Sequence, residues 1–310
     1  MDARQKSHIL SSYYAPRGHT RMYELGVQIA QQYLSPTDKL IGIIGESGAG
    51  KSALIRGMFP GLELTNDDNG IYMRPLPLLS AGEIRGFFAP HTYHVDIRFE
   101  NGFTQMTELA EAIVAALENN KRVIVEHFEL VYPLLGANAN LLIGVGEQVL
   151  IARPNLFGPS PEEIRKVVHE SLPYRLMAHT AEDLCEMCMS EEDLLRCGHS
   201  DFKHGFAMYF EHRPSFKIPE LEEKVNEMIR AALPIAYVDD YHVSIGGKTH
   251  PCTGPRIHVS NTSQIKNFRL LHHYVYDRFH RLYYLVGCVG EHSEDILKEL
   301  TNKQQRPGWE

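Results

Sequence analysis

Nowhere in its 310 residues does the chain run apolar for anything close to the roughly 20 residues that a membrane-spanning helix needs. Its first residues also carry no apolar stretch of the kind that marks a secretory leader. The expectations are therefore no membrane partner and a cytoplasmic location. Cysteine is scarce: there are five, an odd number, which makes no disulfide framework and leaves reduced thiols or metal ligands. Basic charge is in deficit, with 31 Lys and Arg against 39 Asp and Glu and a net charge of -8. That balance excludes a surface that is a nucleic-acid footprint throughout, makes DNA an unexpected partner and leaves room only for a local basic patch. The chain is too long for one hydrophobic core, so two domains are expected.

What the chain does have is Gly45-Glu46-Ser47-Gly48-Ala49-Gly50-Lys51-Ser52, which fits G-x-x-x-x-G-K-[ST]. It follows the apolar, partly β-branched run Leu40-Ile41-Gly42-Ile43-Ile44 and precedes the helix-compatible segment Ala53 to Met58. A strand before and a helix after are the context of a phosphate-binding P-loop. Glycines at 45, 48 and 50 let the loop amides, those of Ser47 and Ala49 included, converge on phosphate oxygens at the positive end of the helix. Lys51 then reaches the β and γ phosphates, and Ser52 offers its hydroxyl to Mg²⁺. The expected cofactor is ATP or GTP with Mg²⁺.

Before the loop, residues 1–38 read as a lead-in in which nothing asks for chemistry, with a helical pattern from His19 to Gln32 that Ser35-Pro36-Thr37-Asp38 ends. After it, Thr65 to Gly70 is a turn whose Asp67 and Asp68 are either solvated or placed to hold a hydroxyl acceptor or a metal-bound water. Tyr93 to Phe99 alternates like a strand, Thr107 to Leu117 is a helix, and Arg122 to Val125 is a short buried strand followed by Glu126. A P-loop enzyme needs a carboxylate at the carboxyl end of a neighbouring strand to orient Mg²⁺ or polarise a nucleophile; Glu126 fits, and Asp96 is the reserve. Further strand material at 141–145 and 148–152 completes an α/β pattern, a mostly parallel sheet with helices on both faces. Three prolines and a glycine between Arg153 and Pro161 mark the expected boundary, giving domains 1–160 and 161–310. Arg153 is either a lid residue that touches phosphate or a solvated linker arginine.

The second half carries a metal-type pattern. His179 to Leu184 begins a helix, where residues i and i+4 share one face, so His179 and Asp183 can hold one ion. Cys252 and His258, in a turn-rich segment before the expected strand Phe268 to Leu271, can complete a four-ligand N/S/O site. Cys185 and Cys188 form C-x-x-C without a partner pair at zinc-finger spacing, and Cys197 and Cys288 read as structural. Between Arg256 and Arg281, five basic residues (Arg256, Lys266, Arg269, Arg278, Arg281) stand against one acid, Asp277, with Tyr274, Tyr276 and Phe279 interleaved. Such a patch can follow an RNA backbone and stack on an unpaired acceptor end; a strand pair with polar outward residues has the same pattern.

His179-Thr180-Ala181, and Cys252-Thr253-Gly254-Pro255 followed by His258-Val259-Ser260-Asn261-Thr262, Phe268 and Leu270, resemble the second additional domain of threonyl- and alanyl-tRNA synthetases and of free-standing alanyl-tRNA editing proteins. The resemblance covers about residues 165–290 and includes an acidic helix, Leu221 to Leu233, between the two phrases. It implies an α+β domain whose site commonly holds zinc and hydrolyses the ester of a misacylated tRNA. His179 matches the family's first histidine, whereas its second is Asp183 here. Cys252 matches the cysteine, and the last histidine comes two residues late as His258, with Arg256 at the usual spacing.

The expectation is a nucleotide-dependent phosphotransferase or NTPase, with Lys51 and Glu126 or Asp96 as its working residues. Its second domain recognises an aminoacyl, nucleoside or tRNA-end ligand, and fusions of nucleoside-kinase-like domains with synthetase modules suggest, by analogy, a small-molecule phosphoryl acceptor. Two alternatives stand beside it. One is a zinc-dependent trans-editing hydrolase using His179, Asp183, Cys252 and His258. The other is a nucleotide-gated tRNA or amino-acid sensor without turnover.

Overall fold

The computed structural model describes residues 10–65, 76–80 and 91–304; Asp67 and Asp68 lie outside them. In chain order the strands and helices of the first half are β1 (Leu10–Tyr14), α1 (His19–Tyr33), β2 (Leu40–Ile44), α2 (Lys51–Met58), β3 (Thr92–Asp96), α3 (Ile97–Glu100), α4 (Met106–Glu118), β4 (Arg122–Glu126), α5 (Phe128–Leu135), β5 (Leu141–Val145) and β6 (Gln148–Ala152). The rest are α6 (Pro161–Glu186), α7 (Glu191–Leu194), β7 (Cys197–Phe202), β8 (Gly205–Phe210), α8 (Ile218–Arg230), β9 (Ile235–Asp239), β10 (His242–Ile245), β11 (Lys248–Pro251), β12 (Arg269–Leu270), β13 (Val275–Asp277), β14 (Leu282–Cys288) and α9 (Ser293–Gln304). The protein is mixed α/β, and none of its described helices is long and apolar enough to cross a membrane.

Two compact units result: one is the chain up to Ala15 with His19–Glu170, the other Pro16–Gly18 with the chain from Ser171. The proline-rich segment belongs to the first unit, and Arg153 at its start is not solvated. It is buried, its guanidinium forks onto both Asp38 oxygens at 2.7 Å, and it also donates to the carbonyls of Tyr33 and Asn140.

The sheet of the first unit runs β1-β6-β5-β2-β4-β3. Strands β5, β2, β4 and β3 are parallel, β6 pairs antiparallel with β5, and β1 pairs antiparallel with β6, so the sheet is mixed. The two residues between β5 and β6 force that turn of direction, since so short a link closes only a hairpin. Successive residues of β2 face opposite ways: Leu40 and Ile44 pack with α4 and α5, whereas Ile41 and Ile43 pack with α1 and α2. Both faces are therefore covered. The strand expected over 93–99 stops at Asp96, because that side chain accepts a hydrogen bond from Phe99 N (3.0 Å) and caps α3.

The second unit is built on antiparallel strands, in the order β12-β14-β8-β7 with β13 beside β14, plus a three-stranded sheet β11-β10-β9. Strand β12 is two residues long, shorter than expected. The amphipathic α8 buries Ile218, Leu221 and Val225. His179 does not begin a helix. It lies late in α6, which opens at a capping box in which Ser160 N donates to Glu163 Oε2 (2.6 Å) and Glu163 N to Ser160 Oγ (3.2 Å).

Candidate functional sites

In the first unit, the Gly-rich loop joins the carboxyl end of β2 to the start of α2. Gly48 (φ 79°) and Gly50 (φ 95°) take the left-handed backbone that turns successive amides to one side. Lys51 is the first residue of α2 and is buried. Its Nζ donates to Glu46 O at 3.0 Å and stands 3.5 Å from Glu126 Oε2. Glu126 ends β4, the parallel neighbour of β2, and pairs in register with Asp96 at the end of β3. Both expected carboxylates thus lie at the same end of the sheet.

His94 carries a role that its place in an alternating strand did not signal. Thr65 N donates to His94 Nδ1 (3.1 Å), which puts the ring proton on Nε2, and Nε2 faces Glu126 Oε1 at 3.1 Å. Burial opposes ionisation of Glu126, yet the His94 hydrogen bond and the nearby Lys51 ammonium hold its carboxyl down at about 2. At neutral pH it is a carboxylate with a fixed orientation.

In the second unit, the four expected side chains converge: ligand atoms of His179, Asp183, Cys252 and His258 all lie within 4.8 Å of one another. Cys252 Sγ is 3.5 Å from His179 Nε2 and 3.9 Å from His258 Nε2, and His258 Nε2 meets Asp183 Oδ2 at 2.7 Å. Local structure explains the convergence. Thr180 Oγ1 accepts from Val259 N (3.1 Å) and donates to Leu176 O (2.7 Å), which ties the segment carrying His258 to α6. Gly254 lies so close that a Cβ there would come within 2.9 Å of the His179 ring. Arg256 is outside the cluster, with its guanidinium 4.4 Å above the Tyr237 ring. No metal-capable group among the described residues includes Cys185 or Cys188.

The central group of this cluster is one that sequence reasoning placed in a chemically silent lead-in. The buried guanidinium of Arg17 donates to Asp183, to Glu182 Oε2 (2.8 Å), to Glu186 Oε1 (3.2 Å) and toward Cys252 Sγ (3.6 Å). Although burial disfavours its charge, these acids raise its pKa well above the usual value. Burial likewise opposes the charge of Asp183, but Arg17 and His258 keep its carboxyl well below the ordinary range. Burial, reinforced by Arg17, pushes His179 far down, and burial together with Asp183 lifts the Cys252 thiol to about 12. At neutral pH the site therefore holds a neutral His179, a thiol, a carboxylate and a guanidinium.

The basic stretch 256–281 does not form one strand pair: Arg256 stands over Tyr237, Lys266 donates to Ser263 O, Arg269 is in β12, and only Arg278 and Arg281 lie in the β13–β14 connection, which exposes Phe279. Tyr276 packs on Tyr283, with ring centroids 4.6 Å apart. No protein-family model matches this chain, and no curated protein matches it.

Proposed function

We propose that the first unit is a P-loop domain that binds a nucleoside triphosphate with Mg²⁺ and transfers or hydrolyses its terminal phosphoryl group. In this reading the second unit recognises an aminoacyl, nucleoside or tRNA-end ligand. The observation that carries the reading is the placement of Lys51. It follows a loop with left-handed glycines at 48 and 50, opens a helix, and faces a buried carboxylate at the end of the next parallel strand.

The residues present fit the nucleotide. The amides of Gly45 to Ser52 would hold its phosphates, Lys51 would move from Glu46 O to the β and γ oxygens, and Ser52 with Glu126 or Asp96 would hold Mg²⁺, which would spread the charge of the transferring group. Glu126 is ionised before ligand arrives and His94 fixes its direction, so neither has to reorganise when charge develops. The test is phosphate release from ATP and from GTP. The expected result is turnover with at least one of them that falls at least about 100-fold in Lys51→Ala, in line with loss of a group that stabilises transition-state charge. Turnover that survives Lys51→Ala contradicts the reading.

A second reading rests on the converging ligands of the other unit, that of a zinc-dependent hydrolase of misacylated tRNA. The donor types suit zinc, and tetrahedral Zn–N and Zn–S bonds of about 2.1 and 2.3 Å place S and N about 3.5 Å apart, close to the observed 3.5 and 3.9 Å, whereas His258 Nε2 and Asp183 Oδ2, hydrogen-bonded at 2.7 Å, would have to part to share the ion. Zinc there would polarise the ester carbonyl or acidify a water. Arg17 opposes this reading, because it holds the same Asp183 and Cys252 lone pairs. Release of free alanine or serine from mischarged tRNA, lost in Cys252→Ala, supports it; no release with zinc present sinks it.

A further inference from the structure

One residue beyond Glu126, the chain does something that neither the glycine-rich loop nor a Mg²⁺ site requires. His127 takes a left-handed backbone (φ 56°, ψ 43°) between β4 and α5. That conformation is strained for a residue other than glycine. The backbone turn buries the imidazole, which is 3% exposed, and sets one ring nitrogen within 4.8 Å of the ligand oxygens of both Asp96 and Glu126. All three residues are buried, and Asp96 and Glu126 are register partners on adjacent parallel strands. His127 Nδ1 finds no hydrogen-bond partner among the described residues; Glu129 Oε1 is 3.6 Å away, and Glu129 Oε2 is also buried and without a hydrogen-bond partner. A strained, buried imidazole with one ring nitrogen near two buried carboxylates is arranged as a ligand, and Glu129, on the side of Nδ1, stands where a carboxylate orients a metal-bound histidine.

We propose that Asp96, Glu126 and His127 bind a divalent first-row transition metal directly, and do so before nucleotide arrives. One nitrogen and two carboxylates from a buried pocket suit a softer ion such as Mn²⁺. Mg²⁺ prefers oxygen ligands, keeps several of its waters and usually takes one or two carboxylates together with substrate phosphates. Lys51 limits the affinity, since its ammonium stands 3.5 Å from Glu126 Oε2 and repels a cation at the same oxygen. In phosphoryl transfer this metal would take the place given to Mg²⁺ above, a role that rests on the nucleotide reading; its binding does not.

The test is a titration of the nucleotide-free full chain with Mn²⁺, followed by electron paramagnetic resonance, in the parent, His127→Asn and Lys51→Met. Asparagine tolerates the left-handed backbone, so His127→Asn removes the ligand and keeps the turn; a thermal melt checks its fold. The expected result is about one Mn²⁺ per chain, held against a tenfold excess of Mg²⁺, weakened about 10- to 100-fold in His127→Asn and tightened in Lys51→Met. No Mn²⁺ binding by the parent, equal binding in a folded His127→Asn, or displacement by an equal concentration of Mg²⁺ would each overturn the proposal. Mn²⁺ binding without any affinity for ATP would leave the metal site standing and remove the nucleotide reading.

Discussion

Each unit buries a cation against carboxylates, but with side chains that behave differently. In the first, Lys51 faces one acid at 3.5 Å and a backbone carbonyl at 3.0 Å. In the second, Arg17 forks onto Asp183, Glu182 and Glu186 together. A lysine ammonium on a flexible stem leaves such contacts easily and acts as a point charge for a phosphate. A guanidinium, charged at any pH the protein meets, matches carboxylates in a fixed plane and gives them up at a large cost. The lysine cluster is thus poised to exchange partners, and the arginine cluster is locked.

The sharpest way to break this contrast is Arg17→Ala. It leaves three largely buried acids without their counter-charge and is expected to cost the second unit about 3–5 kcal/mol, read as lost hydrogen-exchange protection in β8 and β14. The same variant should bind zinc more tightly than the parent, because Asp183 and Cys252 are released. A loss below about 1 kcal/mol would place Arg17 at the level of a surface ion pair and end the comparison.

A smaller effect, of about 3 kcal/mol, is expected from Glu126, whose carboxyl lies at about 2 against an unfolded value of 4.5. The folded value is the lower one, so the native state favours the ionised form. The stabilisation is full above about pH 5 and disappears as pH falls from there to about 2. Denaturant unfolding of the first unit across that range should show the loss in the parent and a flatter profile in Glu126→Gln. Parallel profiles would mean that another acid carries the dependence.

The smallest expected effect belongs to Asp96. Asp96→Ala removes the cap on Phe99 N and should cost about 1 kcal/mol in thermal unfolding, while Asp96→Asn, which keeps a capping oxygen, should cost little. Equal losses in the two would assign the residue's contribution to its charge instead.

Local signals were legible. The loop from Gly45 to Ser52 with its flanking strand and helix, the i and i+4 placement of His179 and Asp183, and the alternation that buries β2 on two faces all follow from short-range spacing. Three features were not. Arg17 meets Asp183 across 166 residues of chain, and an isolated arginine between proline and glycine carries no mark of such a partner. The alternation over 93–99 continues past the true strand end, because capping by Asp96 decides the matter and periodicity does not register caps. His94 and His127 sit in an apolar strand and just after one, and only their partners across the fold, Thr65, Glu126 and Asp96, turn them from core residues into parts of a site.

The central claim is that Lys51 is held ready for a phosphate. Isothermal titration of the full chain with ATP and GTP in the presence of Mg²⁺ tests it most directly. The account predicts saturable binding of one of them at about one per chain, weakened at least about tenfold, or 1.4 kcal/mol, in Lys51→Ala. Absence of binding by the parent, or equal binding by the variant, would contradict it.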